Sequence, residues 1–107
     1  MPYIDRNRRT RFDSNIANLI KRLKDTDIAS AGDLNYVFSE ILVGSLGIDD
    51  NPKYDKINTA VGVLECVKLE LYRRVAAPYE DYKVTQSGDI SCYSRFVGWL
   101  RALLGKK

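Results

Sequence analysis

Apolar side chains recur along this chain at steps of three and four, in four blocks separated by turn-forming residues. The first block follows Asp5, a capping side chain, and places Phe12, Ile16, Leu19, Ile20 and Leu23 on one helical face. Residues 26–33 are rich in turn formers and capping side chains. A second helical pattern follows in Leu34, Val37, Phe38, Ile41, Leu42 and Leu46, with Gly44 and Gly47 softening its end. Residues 48–53 read as a loop in which Pro52 suits the first turn of the next helix. The third pattern is the longest, residues 53–77, with Ile57, Val61, Leu64, Val67, Leu71 and Val75 expected to face inward as the centre of a core. Gly62 within it costs about 1 kcal/mol relative to alanine and marks a place where another helix is expected to come close. Pro78 is expected to end or kink this helix, with Ala77 biased away from helical geometry. Residues 79–89 are polar and close on a turn at 86–89. The fourth pattern, residues 91–104, gathers Tyr93, Phe96, Val97, Trp99, Leu100, Leu103 and Leu104 and is closed by Gly105.

These patterns predict an all-α protein, a small bundle of about four helices with a long central third one. At 107 residues the chain is sized for one domain and one core, and oligomerisation is a common supplement at this size. We therefore expect a single helical domain over 1–107, an oligomer, and a C-terminal amphipathic helix whose Phe96, Trp99, Leu100 and Leu103 serve as core or subunit interface.

Charge changes this picture because it is segregated. Residues 1–24 carry seven basic and two acidic side chains. Residues 25–56 carry two basic and seven acidic ones, and residues 91–107 carry four basic and no acidic. Such alternation suits pairing within or between chains at least as well as nucleic acid. Arg6, Arg8, Arg9 and Arg11 crowd the start of the first helix, where the macrodipole disfavours cations, so either the first turns fray or these side chains answer a neighbouring negative charge. They are the candidates for phosphate contact in the alternative reading of a nucleic-acid-binding protein, although little aromatic interleaving accompanies them.

Composition narrows the chemistry. The chain has no histidine, which removes the commonest general base and a leading metal ligand, and it lacks the glycine-rich and nucleophile-elbow motifs. Cys66 and Cys92 have no CxxC spacing and are expected to be buried free thiols. No run approaches the ~20 uncharged residues of a membrane span, and the first residues lack the apolar stretch of a signal peptide. The expectation is a non-enzymatic protein of the cytoplasm, without metal, cofactor or membrane partner.

The densest polar and aromatic cluster is residues 70–83, with Tyr72, Arg73, Arg74 and Tyr79. Arginine forks match phosphate or carboxylate, and tyrosines stack on rings or donate hydrogen bonds, so these residues with Lys68 and Asn35 are candidate contacts for a small anionic, nucleotide-like ligand. A purely structural account is equally open: Glu70 and Arg74 have the favourable i,i+4 order, and cations suit a helix C-terminus. Asn58, Glu65, Lys68 and Tyr72 form a polar stripe beside the apolar face, either as boundary residues or as pocket lining.

Several separated words occur in order: the opening Met1-Pro2-Tyr3-Ile4; Gly32-Asp33-Leu34-Asn35-Tyr36; Gly62-Val63-Leu64-Glu65-Cys66-Val67-Lys68-Leu69-Glu70-Leu71-Tyr72-Arg73-Arg74-Val75; Pro78-Tyr79-Glu80-Asp81-Tyr82-Lys83; and Gly88-Asp89-Ile90. Together they resemble a family of short bacteriophage and mobile-element proteins over residues 1–90, leaving 91–107 beyond the resemblance. No activity transfers with it. The resemblance implies an accessory protein acting in the cytoplasm of an infected cell, a counter-defence setting in which small proteins sequester an anionic signal or mask a host protein. The alternatives are an assembly protein of a phage particle and a nucleic-acid-binding accessory protein.

Overall fold

The computed structural model describes residues 3–25 and 30–105. The expected turn at 26–29, Met1, Pro2, Lys106 and Lys107 lie outside them. The fold is all-α. Helix α1 spans Arg6–Lys24, α2 Ala31–Leu46, α3 Tyr54–Leu71, α4 Ala77–Ser87 and α5 Ser91–Leu104, with a π-helical turn at Tyr72–Ala76 between α3 and α4. Because α3, the π turn and α4 follow one another without a break, the four-helix plan with a long third helix holds. The chain divides into two compact units, Met1–Cys66 and Val67–Lys107, the division falling inside α3.

Local chemistry sets the helix ends. Ser30 caps α2 in a reciprocal box: its hydroxyl accepts from the Asp33 N–H at 3.0 Å, and its own N–H donates to the Asp33 carboxylate at 3.1 Å. At the other end Gly47 takes φ 67° and ψ 29°, its N–H donating to Gly44 O while Ile48 N–H donates to Val43 O. This is a Schellman closure, and it needs the left-handed conformation that glycine adopts without penalty. The end of α2 is thus firmly closed. Asp5 precedes α1 without a side-chain cap, yet the arginine-rich first turns are helical rather than frayed.

Proline does not end the third helix. Ala77 is helical, at φ −63° and ψ −50°, and its N–H donates to Tyr72 O five residues back. A proline ring inside an α-helix clashes with the carbonyl four residues earlier and forfeits one hydrogen bond. The wider π turn just before Pro78 accommodates both faults, so the helix continues for eleven more residues through a segment expected to be polar loop.

The expected core is absent from the lone chain. Among the described residues Ala60 is the one buried side chain. Ile57, Val61, Leu64, Val67, Leu71 and Val75, expected to face inward, are all exposed, from 39% at Ile57 to 61% at Val61. Gly62 likewise meets no close helix: a Cβ built there finds nothing within 4 Å among the described residues. Cys66 and Cys92 are exposed free thiols rather than buried ones. One physical cause underlies all three departures. The helices carry apolar stripes at the right spacing, but the elements of each unit leave those stripes largely open.

Candidate functional site

The tyrosine and arginine cluster lies in the second unit, on the π turn and the helices either side of it. Glu70 closes α3 and anchors both cations: its carboxylate accepts from Arg73 Nη2 at 3.1 Å and lies 4.0 Å from Arg74 Nη1. The arginines remain largely in solvent, at 72% and 60% side-chain exposure, against 24% for Glu70. An exposed pair of this kind contributes little to stability, so its consequence is orientation of the two guanidinium forks. Tyr72 reaches along the helix to α4, its hydroxyl donating to both Glu80 carboxylate oxygens in long contacts of 3.4 Å. Tyr79 and Tyr82 stand with ring centroids 6.5 Å apart, and the Lys83 ammonium lies 5.7 Å from the Tyr79 ring.

The structure therefore brings Tyr72, Arg73, Arg74 and Tyr79 onto one continuous helical segment, with Lys68 one turn before Tyr72. Glu80, Tyr82 and Lys83 complete the surface. The contact joining Tyr72 to Glu80 depends on helix continuing through Pro78, which the proline had argued against. Its signal was Tyr79, Tyr82 and Lys83 at helical steps after Pro78.

Asn35 belongs to the first unit. It accepts a 3.1 Å hydrogen bond from Ser39 and helps line a groove of about 420 Å³ between α2 and α3. Phe38 and Leu42 come from one helix, and Ile57, Ala60, Val61 and Leu64 from the other. Both sets follow three- and four-residue steps, so each helix turns its apolar stripe toward the other while much of Phe38, Val61 and Leu64 stays exposed. The sequence marked these residues as core. Nothing in their spacing distinguishes a closed core from an open groove.

The arginines of α1 are exposed. Arg9 Nε donates to Ile4 O at 3.0 Å, and the Arg11 guanidinium lies 5.6 Å from the Phe12 ring, so two of the four cations are engaged locally. On α5 the Phe96 and Trp99 rings stand 6.0 Å apart, with Trp99 60% and Leu103 49% exposed and Leu100 half-buried. Among the described residues no three acidic or thiol side chains gather as a metal site would require, and no helix is long and apolar enough to cross a membrane.

The model of a domain of unknown function, DUF6899, matches residues 1–90. The chain belongs to the DUF6899 family. The DUF6899 body ends at the turn before α5, so it contains both the α2–α3 groove and the whole tyrosine–arginine surface, while the Trp99 helix lies beyond it. No curated protein and no solved structure matches the chain.

Proposed function

We propose that this DUF6899 protein is a non-enzymatic binding protein that acts by occupancy, masking an acidic surface of a protein partner through the exposed helical segment that carries Tyr72, Arg73, Arg74, Tyr79 and Lys83. The observation that carries this reading is the exposure of Arg73 and Arg74, which approach the Glu70 carboxylate to 3.1 and 4.0 Å, on a segment with three exposed tyrosines. Tyrosine and arginine dominate the energetics of protein interfaces, and a guanidinium fork pairs with carboxylates in two parallel hydrogen bonds. Of the two occupants expected from the sequence, an open surface on one helical segment favours a protein. A nucleotide-sized ligand is ordinarily held in a concavity that buries most of it.

The resemblance of residues 1–90 to bacteriophage and mobile-element proteins supports an infected cell's cytoplasm as the setting, with a host protein as the target and counter-defence as the role. A second reading, an assembly protein of a phage particle, is favoured by the exposed apolar stripes of all five helices. Large exposed apolar patches mark protein interfaces.

The test is native mass spectrometry of protein purified from the cells in which it acts, before and after unfolding, alongside Arg73→Ala and Arg74→Ala. A bound protein of defined mass that both variants lose, at unchanged helicity, is the expected result. Retention by both variants refutes the assignment. A released small anion returns the function to sequestration, and a large regular assembly with nothing bound returns it to a particle component.

A further inference from the structure

The α2–α3 groove is an apolar surface left open among the described residues. Its walls are apolar over about one helical turn of α2, from Phe38 to Leu42 beside the polar Asn35 and Ser39, and about two turns of α3, from Ile57 to Leu64, and these apolar side chains lie largely open. Most helical stability in proteins comes from packing an amphipathic face rather than from propensity.

One helix matches the groove in dimension, chemistry and charge. On α5, Phe96, Leu100 and Leu103 repeat at four and three residues and span about 10 Å at 1.5 Å per residue, the same run as Ile57 to Leu64. Trp99 beside them is 60% exposed, so α5 carries an apolar face in need of cover. The α2 wall of the groove lies in the acidic stretch 25–56, with Asp33 and Glu40 on α2, Asp49 and Asp50 in the following loop and Asp55 at the start of α3, against Lys53 and Lys56; the α3 wall, Ile57 to Leu64, follows that stretch and carries no charge of its own. The terminal stretch 91–107 is purely basic, with Arg95 and Arg101 on α5 itself. Opposite charge of this kind sets register and speeds encounter, while apolar burial holds the complex.

We propose that the α2–α3 groove takes α5 of a second copy of this chain. Each copy offers one groove and one helix, and a reciprocal pair is the smallest assembly that fills both grooves without leaving a free site. The dimer goes beyond the binding role proposed above and uses different residues. Arg73→Ala and Arg74→Ala leave it intact, which keeps the failure of one proposal distinct from the failure of the other.

The experiment is sedimentation equilibrium of the full chain together with its fluorescence, since Trp99 is the single tryptophan. The expected result is a dimer whose emission shifts to longer wavelength on dilution with the same midpoint as its mass. Trp99→Asp spoils the helix, Val61→Glu spoils the groove, and each is monomeric alone. Mixed together they form a one-to-one pair, because the intact groove of the first accepts the intact α5 of the second. Arg101→Glu, at an exposed position where folding is not at stake, weakens the dimer about tenfold or more at low salt and less at high salt. A monomeric parent protein, a dimer indifferent to Trp99→Asp and Val61→Glu, or two variants that fail to pair on mixing overturns the proposal. Should Trp99→Asp or Val61→Glu fail to fold, an unaltered affinity in Arg101→Glu overturns it.

Discussion

Gly62→Ala separates an open helix face from one pressed against a neighbour. Gly62 lies in the interior of α3, in regular helix, and a Cβ placed there meets no atom within 4 Å among the described residues. Glycine in a helix interior is about 1 kcal/mol less favourable than alanine, partly because glycine leaves the unfolded chain more freedom to lose. With no steric cost to set against it, the full ~1 kcal/mol should appear as stabilisation. For a domain of this size that corresponds to a rise in Tm of roughly 4–8 °C. The groove-facing residues of α3 are Ile57, Ala60, Val61 and Leu64, and at about 100° per residue Gly62 points away from all four. Dimerisation through the groove therefore leaves the expectation unchanged. The assay is circular dichroism at 222 nm followed through thermal and urea unfolding at matched protein concentration, since association makes Tm concentration-dependent. A fall in Tm, at a concentration where the parent protein shows the same mass, would refute the reasoning: it would mean that a helix does pack on Gly62, as the sequence pattern alone suggests.

Two further substitutions test the ends of α2. Ser30→Ala removes the hydroxyl that accepts from Asp33 N–H and should cost about 1 kcal/mol, read as a lower urea midpoint; Ser30→Asp should restore most of it. Gly47→Ala forces a β-carbon into a conformation at φ 67° and should cost about 1–2 kcal/mol. That cost is conformational, because the nearest atom to the new methyl is the flexible end of Lys56 at an ordinary 3.6 Å, so Gly47→Asn should lose clearly less than Gly47→Ala in the same denaturation assay.

Helix existence and direction were legible in the sequence because periodicity and capping are local. The spacing from Leu34 to Leu46, the serine and aspartate at 30 and 33, and Gly105 as a stop signal place α2 and the end of α5 where they are found, whereas Gly47, expected to soften the end of α2, closes it in a left-handed cap. Pro78 misled because its usual effect assumes an α-helical partner four residues back. The compensating π turn is a cooperative choice among five residues, and no single one of them announces it. Burial was illegible for a different reason. An apolar stripe such as Ile57, Val61 and Leu64 states that cover is required and says nothing of which chain supplies it.

That distinction also governs the candidate site. Glu70 and Arg74 at i,i+4 had a sufficient structural account as a helix-surface pair, and the 4.0 Å approach between them is the weak, exposed contact such pairs make. Arg73 holds the shorter contact, 3.1 Å, although it stands at i+3 and on the π turn. Over residues 70–83 three cations, Arg73, Arg74 and Lys83, stand against three carboxylates, Glu70, Glu80 and Asp81, and of these Glu80 accepts from the Tyr72 hydroxyl. The guanidinium groups of Arg73 and Arg74 and the ring pair of Tyr79 and Tyr82 stay largely exposed despite these contacts, and that exposure is what supports the proposal of an acidic protein partner.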